Sequence, residues 1–255
     1  MRDFGRFGDV SVQLGDDHVA LAEIHRPPNN FFDAALITAL ADAFTKLDES
    51  PCRAIVLCAE GKHFCAGANF AGGAREDAGS LYREAVRLFT TRTPVIAAVQ
   101  GAAIGGGLGL ALMPDFRIAA PEARFSANFA RLGFHHGFGL SVTLPRLCGM
   151  QVAQELLYTG RRVAGEEAIA LGLCDRLVQL ADLRGEALAF AREIALSAPL
   201  AVASIRKTLR GDLAEAVRMA TEHELAEQTR LQATADFREG IAATAERRTP
   251  DFKGR

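Results

Sequence analysis

The stretch PVIAAVQGAAIGGGLG, residues 94–109, decides the fold class. Pro94 to Val99 is an uninterrupted apolar run, the pattern of a strand buried on both faces. Gly101 to Gly107 reads as a turn, and Leu108 to Met113 as the start of a buried helix. A strand that passes through a glycine turn into a helix belongs to a parallel α/β sheet with right-handed crossovers. The glycines let the main chain approach a ligand closely. The helix start adds unpaired N–H groups and a positive dipole end. Such a corner suits an oxyanion or a phosphate, and equally the close packing of helix on sheet. A dinucleotide fingerprint needs a further glycine at 110, where the chain has leucine, so that reading fails.

The flanking sequence repeats the alternation. Val10 to Leu14 and Val19 to Ile24 read as short alternating strands joined by a turn at Gly15. Asp33 is placed to N-cap a helix whose apolar residues Leu36, Ile37, Leu40, Ala43, Phe44 and Leu47 have helical spacing. Ala54 to Cys58 is a second doubly buried strand, and Gly61 to Gly73 a loop rich in small residues. Leu81 to Phe89 fits a helix and Phe116 to Ala119 a strand. From Leu140 the pattern is nearly all helical, with helices over 140–147, 151–158, 165–171, 183–197, 201–209, 213–229 and 234–247. Ser197 and Pro199 mark a composition shift that divides a core, 1–197, from a helical region, 198–255.

Several function classes are disfavoured by composition. Among 255 residues, 29 Lys plus Arg face 31 Asp plus Glu, so there is no basic excess for nucleic acid. Five cysteines, with no C-x-x-C pair, suggest neither a disulfide framework nor a zinc site. Reduced thiols and an N-terminus without an apolar stretch point to the cytoplasm. Thr93 to Pro114 carries no charge and has the length of a membrane span, but Pro94, Gln100 and five glycines make it strand, turn and helix. No membrane partner and no metal are expected. There is no G-x-S-x-G elbow for a serine hydrolase, and Cys65 reads as a small buried residue.

A second unit, EGKHFCAGANF at 60–70, follows the Ala54–Cys58 strand and exposes main-chain amides at a strand's carboxyl end, where open α/β sheets bind ligands. Together with the glycine corner it resembles the crotonase, or enoyl-CoA hydratase/isomerase, family. HRPPNN at 25–30 resembles the family's early loop, FCAGAN at 64–69 its first oxyanion-hole segment, and QGAAIGGG at 100–107 its second. AIALGLCDRLV at 168–178 and the ending from Glu239 to Gly254 extend the likeness along most of the chain. The resemblance implies a spiral of ββα units with C-terminal helices that build a homotrimer or a dimer of trimers. It implies an acyl-CoA thioester as ligand, with coenzyme A part of the substrate and no separate cofactor. Two main-chain donors, the amides of Ala68 and Gly106, would stabilise the enolate oxygen as charge develops. Ala66, Asn69, Gly105 and Phe129 would border the acyl group. Arg26, Lys62 and Lys253 would meet the CoA phosphates, and Phe252 the adenine.

The chain departs from the family at its acids. The two positions of the hydratase glutamates fall on Gly109 and Phe129, and that of the isomerase glutamate on Gly137. None of these can carry a proton. His135 and His136 stand nearby in the sequence, and an imidazole titrates near neutrality. Three expectations stay open: hydration of a 2-enoyl-CoA, isomerisation with a histidine in place of a glutamate, and acyl-CoA binding without catalysis.

Overall fold

The two doubly apolar runs lie side by side in the middle of a seven-stranded sheet. The computed structural model describes residues 1–69 and 78–255; Phe70 to Gly73, the end of the loop rich in small residues, fall outside the described residues. Strands β1 (Arg2–Phe7), β2 (Val10–Leu14) and β3 (Val19–Ile24) form an antiparallel meander. Helix α1 (Ala34–Asp48) leads to β4 (Ala54–Ala59), and α2 (Ala78–Phe89) precedes β5 (Val95–Val99). Then come β6 (Ala102–Ile104), α3 (Gly106–Leu112), β7 (Phe116–Ala119) and β8 (Arg124–Ser126). The remainder is α4 (Leu140–Thr159), β9 (Val163–Ala164), α5 (Gly165–Ala170), β10 (Arg176–Leu177), α6 (Leu183–Ala195), α7 (Pro199–Arg210), α8 (Leu213–Gln232) and α9 (Ala235–Glu246). The large sheet runs β1-β2-β3-β4-β5-β7-β10 and is parallel from β3 onward. A small sheet, β6-β8-β9, stands apart from it.

The uninterrupted apolar strands are explained by a core on each face of the sheet. Ile55 and Leu57 point to the larger core with α1 and α2, while Val56 and Cys58 point to a second one. There α6 presents Ala187, Ala191 and Ala195, whose small side chains let the helix lie close on the strands. Asp33 caps α1, accepting the Leu36 amide at 2.8 Å, as its spacing predicts. Residues 140–159 form α4 with a break at Gly149 (φ 76°, ψ 161°), which separates the two helices expected there. Leu213, Val217 and Phe237, from α8 and α9, are buried in the same core as α1 and α2.

The turn expected at 101–107 is different in the structure. Ala102–Ile104 is a strand, β6, paired in parallel with β8. Three residues are too few for a periodic signal, and their strand partner lies over 20 residues away. The uncharged stretch from Thr93 to Pro114 becomes β5, β6 and α3. Among the described residues no single helix is long and apolar enough to cross a membrane.

Candidate functional site

The loop after β4 and the glycine corner after β5 are joined by main-chain hydrogen bonds. Phe64 N donates to Gln100 O (2.8 Å), Cys65 N to Ala102 O (2.9 Å) and Ile104 N to Cys65 O (3.0 Å). Only glycine fits where these segments press together. A Cβ at Gly107 would lie 2.2 Å from the Cys65 carbonyl oxygen, and one at Gly67 (φ +88°) 2.9 Å from that of Ile104. The two units read separately in the sequence are therefore one structural object.

That object forms part of the wall of a cavity of about 1120 Å³. Ala66, Ala68 and Asn69 line it from the first bend, Gly105 and Gly106 from the second. Gly106 is the first residue of α3, and its N–H has no carbonyl to bond within the helix. Among the described residues, neither the Ala68 nor the Gly106 amide donates to a main-chain carbonyl. Phe129 and Arg26 also line the cavity. The Arg26 guanidinium is held by Asp9 and Asp33, each at 2.7 Å, which raises its pKa against the opposing effect of burial. Lys62, Phe252 and Lys253 do not line it; the Lys253 ammonium pairs with Asp251 at 2.7 Å.

Aromatic side chains pack against Gly109 and around Phe129. A Cβ at Gly109 would stand 2.7 Å from the Phe138 ring, and Phe138 itself adopts φ +62°. Phe129 packs edge-on against Phe134, with ring centroids 5.3 Å apart, and Phe134 against Phe237 at 5.2 Å. Asp33 is the one carboxylate that lines the cavity among the described residues, and one oxygen accepts the Leu36 amide while the other pairs with Arg26.

Neither His135 nor His136 lines the cavity. His135 Nδ1 donates to the His136 carbonyl at 2.8 Å. His136 Nε2 lies 2.7 Å from Ser141 Oγ, whose hydroxyl donates to the buried carboxylate of Glu224, also at 2.7 Å. Because the serine proton is committed to Glu224, His136 Nε2 is the donor in its pair. Burial pushes the His136 imidazole down to about 4, with the neighbouring His135 and His223 acting the same way. His136 therefore supports the start of α4, where Glu224 also accepts the amides of Gly139 (2.8 Å) and Ser141 (3.0 Å). Burial pushes the Cys65 thiol up to about 12, so it is inert as a nucleophile at neutral pH.

Other cavity residues are not evident from the sequence: Phe32, Tyr82, Asn128, Gln228 and Arg238. Tyr82 and Gln228 are 146 positions apart. Each sits on a helix whose periodicity marks it as inward-facing, but no local pattern says that both reach one cavity.

Comparison with known proteins agrees with this geometry. Residues 15–255 match the model of the family described as enoyl-CoA hydratase/isomerase. A carnitinyl-CoA dehydratase of Proteus mirabilis is 32% identical over 244 residues, covering 91% of this chain and 94% of its own. The crystal structure of an enoyl-CoA hydratase/isomerase from Pseudoalteromonas atlantica superposes with a TM-score of 0.87 at 31% identity, over 96% of this chain and 100% of that one. An enoyl-CoA hydratase from Mycobacterium avium subsp. paratuberculosis gives 0.85 at 25% identity, over 96% and 99%. The crotonase fold is thus that of relatives along nearly the whole chain, and the protein belongs to the enoyl-CoA hydratase/isomerase family.

Proposed function

We propose that this protein holds an acyl-CoA thioester in the cavity and stabilises its enolate with the Ala68 and Gly106 amides, adding water to a 2-enoyl-CoA. One observation carries the reading: Ala68 and Gly106, whose amides have no main-chain carbonyl partner among the described residues, lie on bends stitched to each other and line the same cavity. In hydration, water oxygen bonds to the β-carbon and the double-bond electrons move onto the thioester oxygen. The water sheds one proton as its C–O bond forms, and the enolate takes one proton at the α-carbon, so that H and OH add across the double bond with no net gain or loss. Donors already aimed at that oxygen stabilise the charge without reorganisation, each worth about 10²–10³ in rate. Arg238 lines the cavity and forms no ion pair among the described residues, which suits it to a CoA phosphate.

A second reading, binding without turnover, is supported by the aromatic side chains at the acid positions and by the engagement of both Asp33 oxygens. The test pairs calorimetric binding of butanoyl-CoA with a hydration assay on crotonyl-CoA. Measurable hydration that Ala68→Pro, which removes the N–H, lowers about 100-fold supports the first reading. Tight binding with no hydration selects the second, and absence of binding overturns both.

The assembly we propose is a homotrimer or a dimer of trimers. Helix α7 leaves its large apolar residues Leu200, Ile205 and Leu209 exposed. A monomer by sedimentation equilibrium would refute the assembly. We place the protein in the cytoplasm, a reading supported by its five free cysteines.

A further inference from the structure

Tyr82 on α2 and Gln228 on α8 are both buried and both line the cavity. Their hydrogen bonds fix the position of each proton. Gln228 Nε2 donates to the His135 carbonyl at 3.0 Å. A carbonyl only accepts, so the amide oxygen must be the atom that faces Tyr82. The Tyr82 hydroxyl accordingly donates to Gln228 Oε1 at 2.8 Å. The Phe138 main-chain N–H also engages the Tyr82 oxygen, so two capacities are left over: the remaining lone pair of that oxygen and the second amide hydrogen of Gln228. The wall thus offers one acceptor and one donor, both uncharged, among aromatic rings.

An alcohol matches that pair, because a hydroxyl gives one hydrogen and accepts another. A carboxylate would find a single donor and would face the tyrosine lone pairs. It would also approach Glu224, a buried carboxylate one helical turn before Gln228 on α8. An aliphatic tail would strip water from both polar groups and return nothing. The wall at the Gly106 amide is different: a Cβ there would meet the Phe32 ring at 2.1 Å, and Phe32 packs edge-on against Phe138. The polar pair comes from two other helices, α2 and α8, and not from the bend that carries Gly106.

We propose that Tyr82 and Gln228 form a hydroxyl-recognising subsite, so that the preferred ligand is a CoA thioester whose acyl tail carries an uncharged alcohol. The inference rests on the acyl-CoA reading above and adds the substrate class. Calorimetric titration of the intact protein tests it with matched ligands: butanoyl- against 4-hydroxybutanoyl-CoA, and hexanoyl- against 6-hydroxyhexanoyl-CoA, with adipoyl-CoA as the anionic tail. The expected result is that at least one hydroxylated thioester binds about tenfold more tightly than its parent. Tyr82→Phe should bring that ratio close to one. Equal affinities within each pair, tightest binding of adipoyl-CoA, or a ratio that survives Tyr82→Phe would overturn the subsite while leaving acyl-CoA binding intact. If no CoA thioester binds, the acyl-CoA reading falls and the subsite with it. The wild-type ratios decide the matter even if Tyr82→Phe does not fold.

Discussion

The Tyr82 hydroxyl occupies the space that a side chain at Gly137 would need: a Cβ there would lie 1.8 Å from it and 2.7 Å from Gln228 Nε2. Glycine at 137 and tyrosine at 82 therefore form one packing unit, and the Tyr82–Gln228 pair exists because residue 137 has no side chain.

Gly137→Ala should destabilise the protein by about 2 kcal/mol, the usual cost of overpacking a filled interior. Urea unfolding with an unchanged m-value would show it. Gly137→Glu, which places a carboxyl where the family resemblance would put the isomerase glutamate, should be costlier still and confer no isomerase activity, because the space is taken. Isomerase turnover by that variant would show that Tyr82 and Gln228 move aside.

The stitched corner gives a sharper case. In Gly107→Ala the new methyl would meet the Cys65 carbonyl oxygen at 2.2 Å, a main-chain atom that cannot rotate away. Separating the bends to make room should cost about 3 kcal/mol. It should also weaken butanoyl-CoA binding, since both amide-bearing bends shift. Unaltered melting and unaltered binding would show that the corner is not tightly packed.

Helix α7 is tied down by charge. Asp115 accepts from Arg206 Nε (2.9 Å) and Arg210 Nη1 (2.9 Å), both on α7, and from the Val95 amide (2.9 Å). All three side chains are largely buried, so Asp115→Ala leaves two guanidinium groups without their anion. The expected loss is about 3 kcal/mol, with α7 becoming the first site of limited proteolysis. Equal protease resistance in the variant and the wild type would contradict this.

Acid should weaken the start of α4. The ordinary imidazole value is 6.5 and burial holds His136 at about 4. Between these pH values the unfolded chain binds a proton that the folded chain does not, so stability rises with pH across this window. It is fully present above about 6.5 and falls as pH drops toward 4, by roughly 3 kcal/mol. Glu224, 3.9 Å away, favours the charged form, but its oxygens already serve Gly139 and Ser141, and His135 and His223 oppose it. Urea unfolding at pH 7.5 and 4.5 should show a smaller acid loss for His136→Asn than for the wild type. Identical losses would assign the acid sensitivity to other groups.

Much of the fold is legible in the chain. Doubly apolar runs announce β4 and β5, helical spacing after Asp33 announces α1, and the glycines at 101–107 announce a corner where the main chain makes a close approach. The two bends and most of their lining residues follow from the same reading, because strand ends and glycine turns are written in adjacent residues. The β6 strand is not legible, since three residues carry no period and their partners are supplied by Cys65 and β8. The histidines illustrate the same limit. Their chemistry suits proton transfer, yet His135 bonds to the His136 carbonyl, and His136 turns toward Ser141 and Glu224, a residue more than 80 positions away.

By itself, then, the sequence determined which segments become strands and helices, and where the main chain must come close, because these depend on neighbours in the chain. Only the tertiary structure decided that Phe138 fills the space beside Gly109, that Tyr82 meets Gln228, and that His136 serves the α4 start. Those outcomes depend on which distant side chains share a volume when the helices close on the sheet, and packing settles that all at once across the chain.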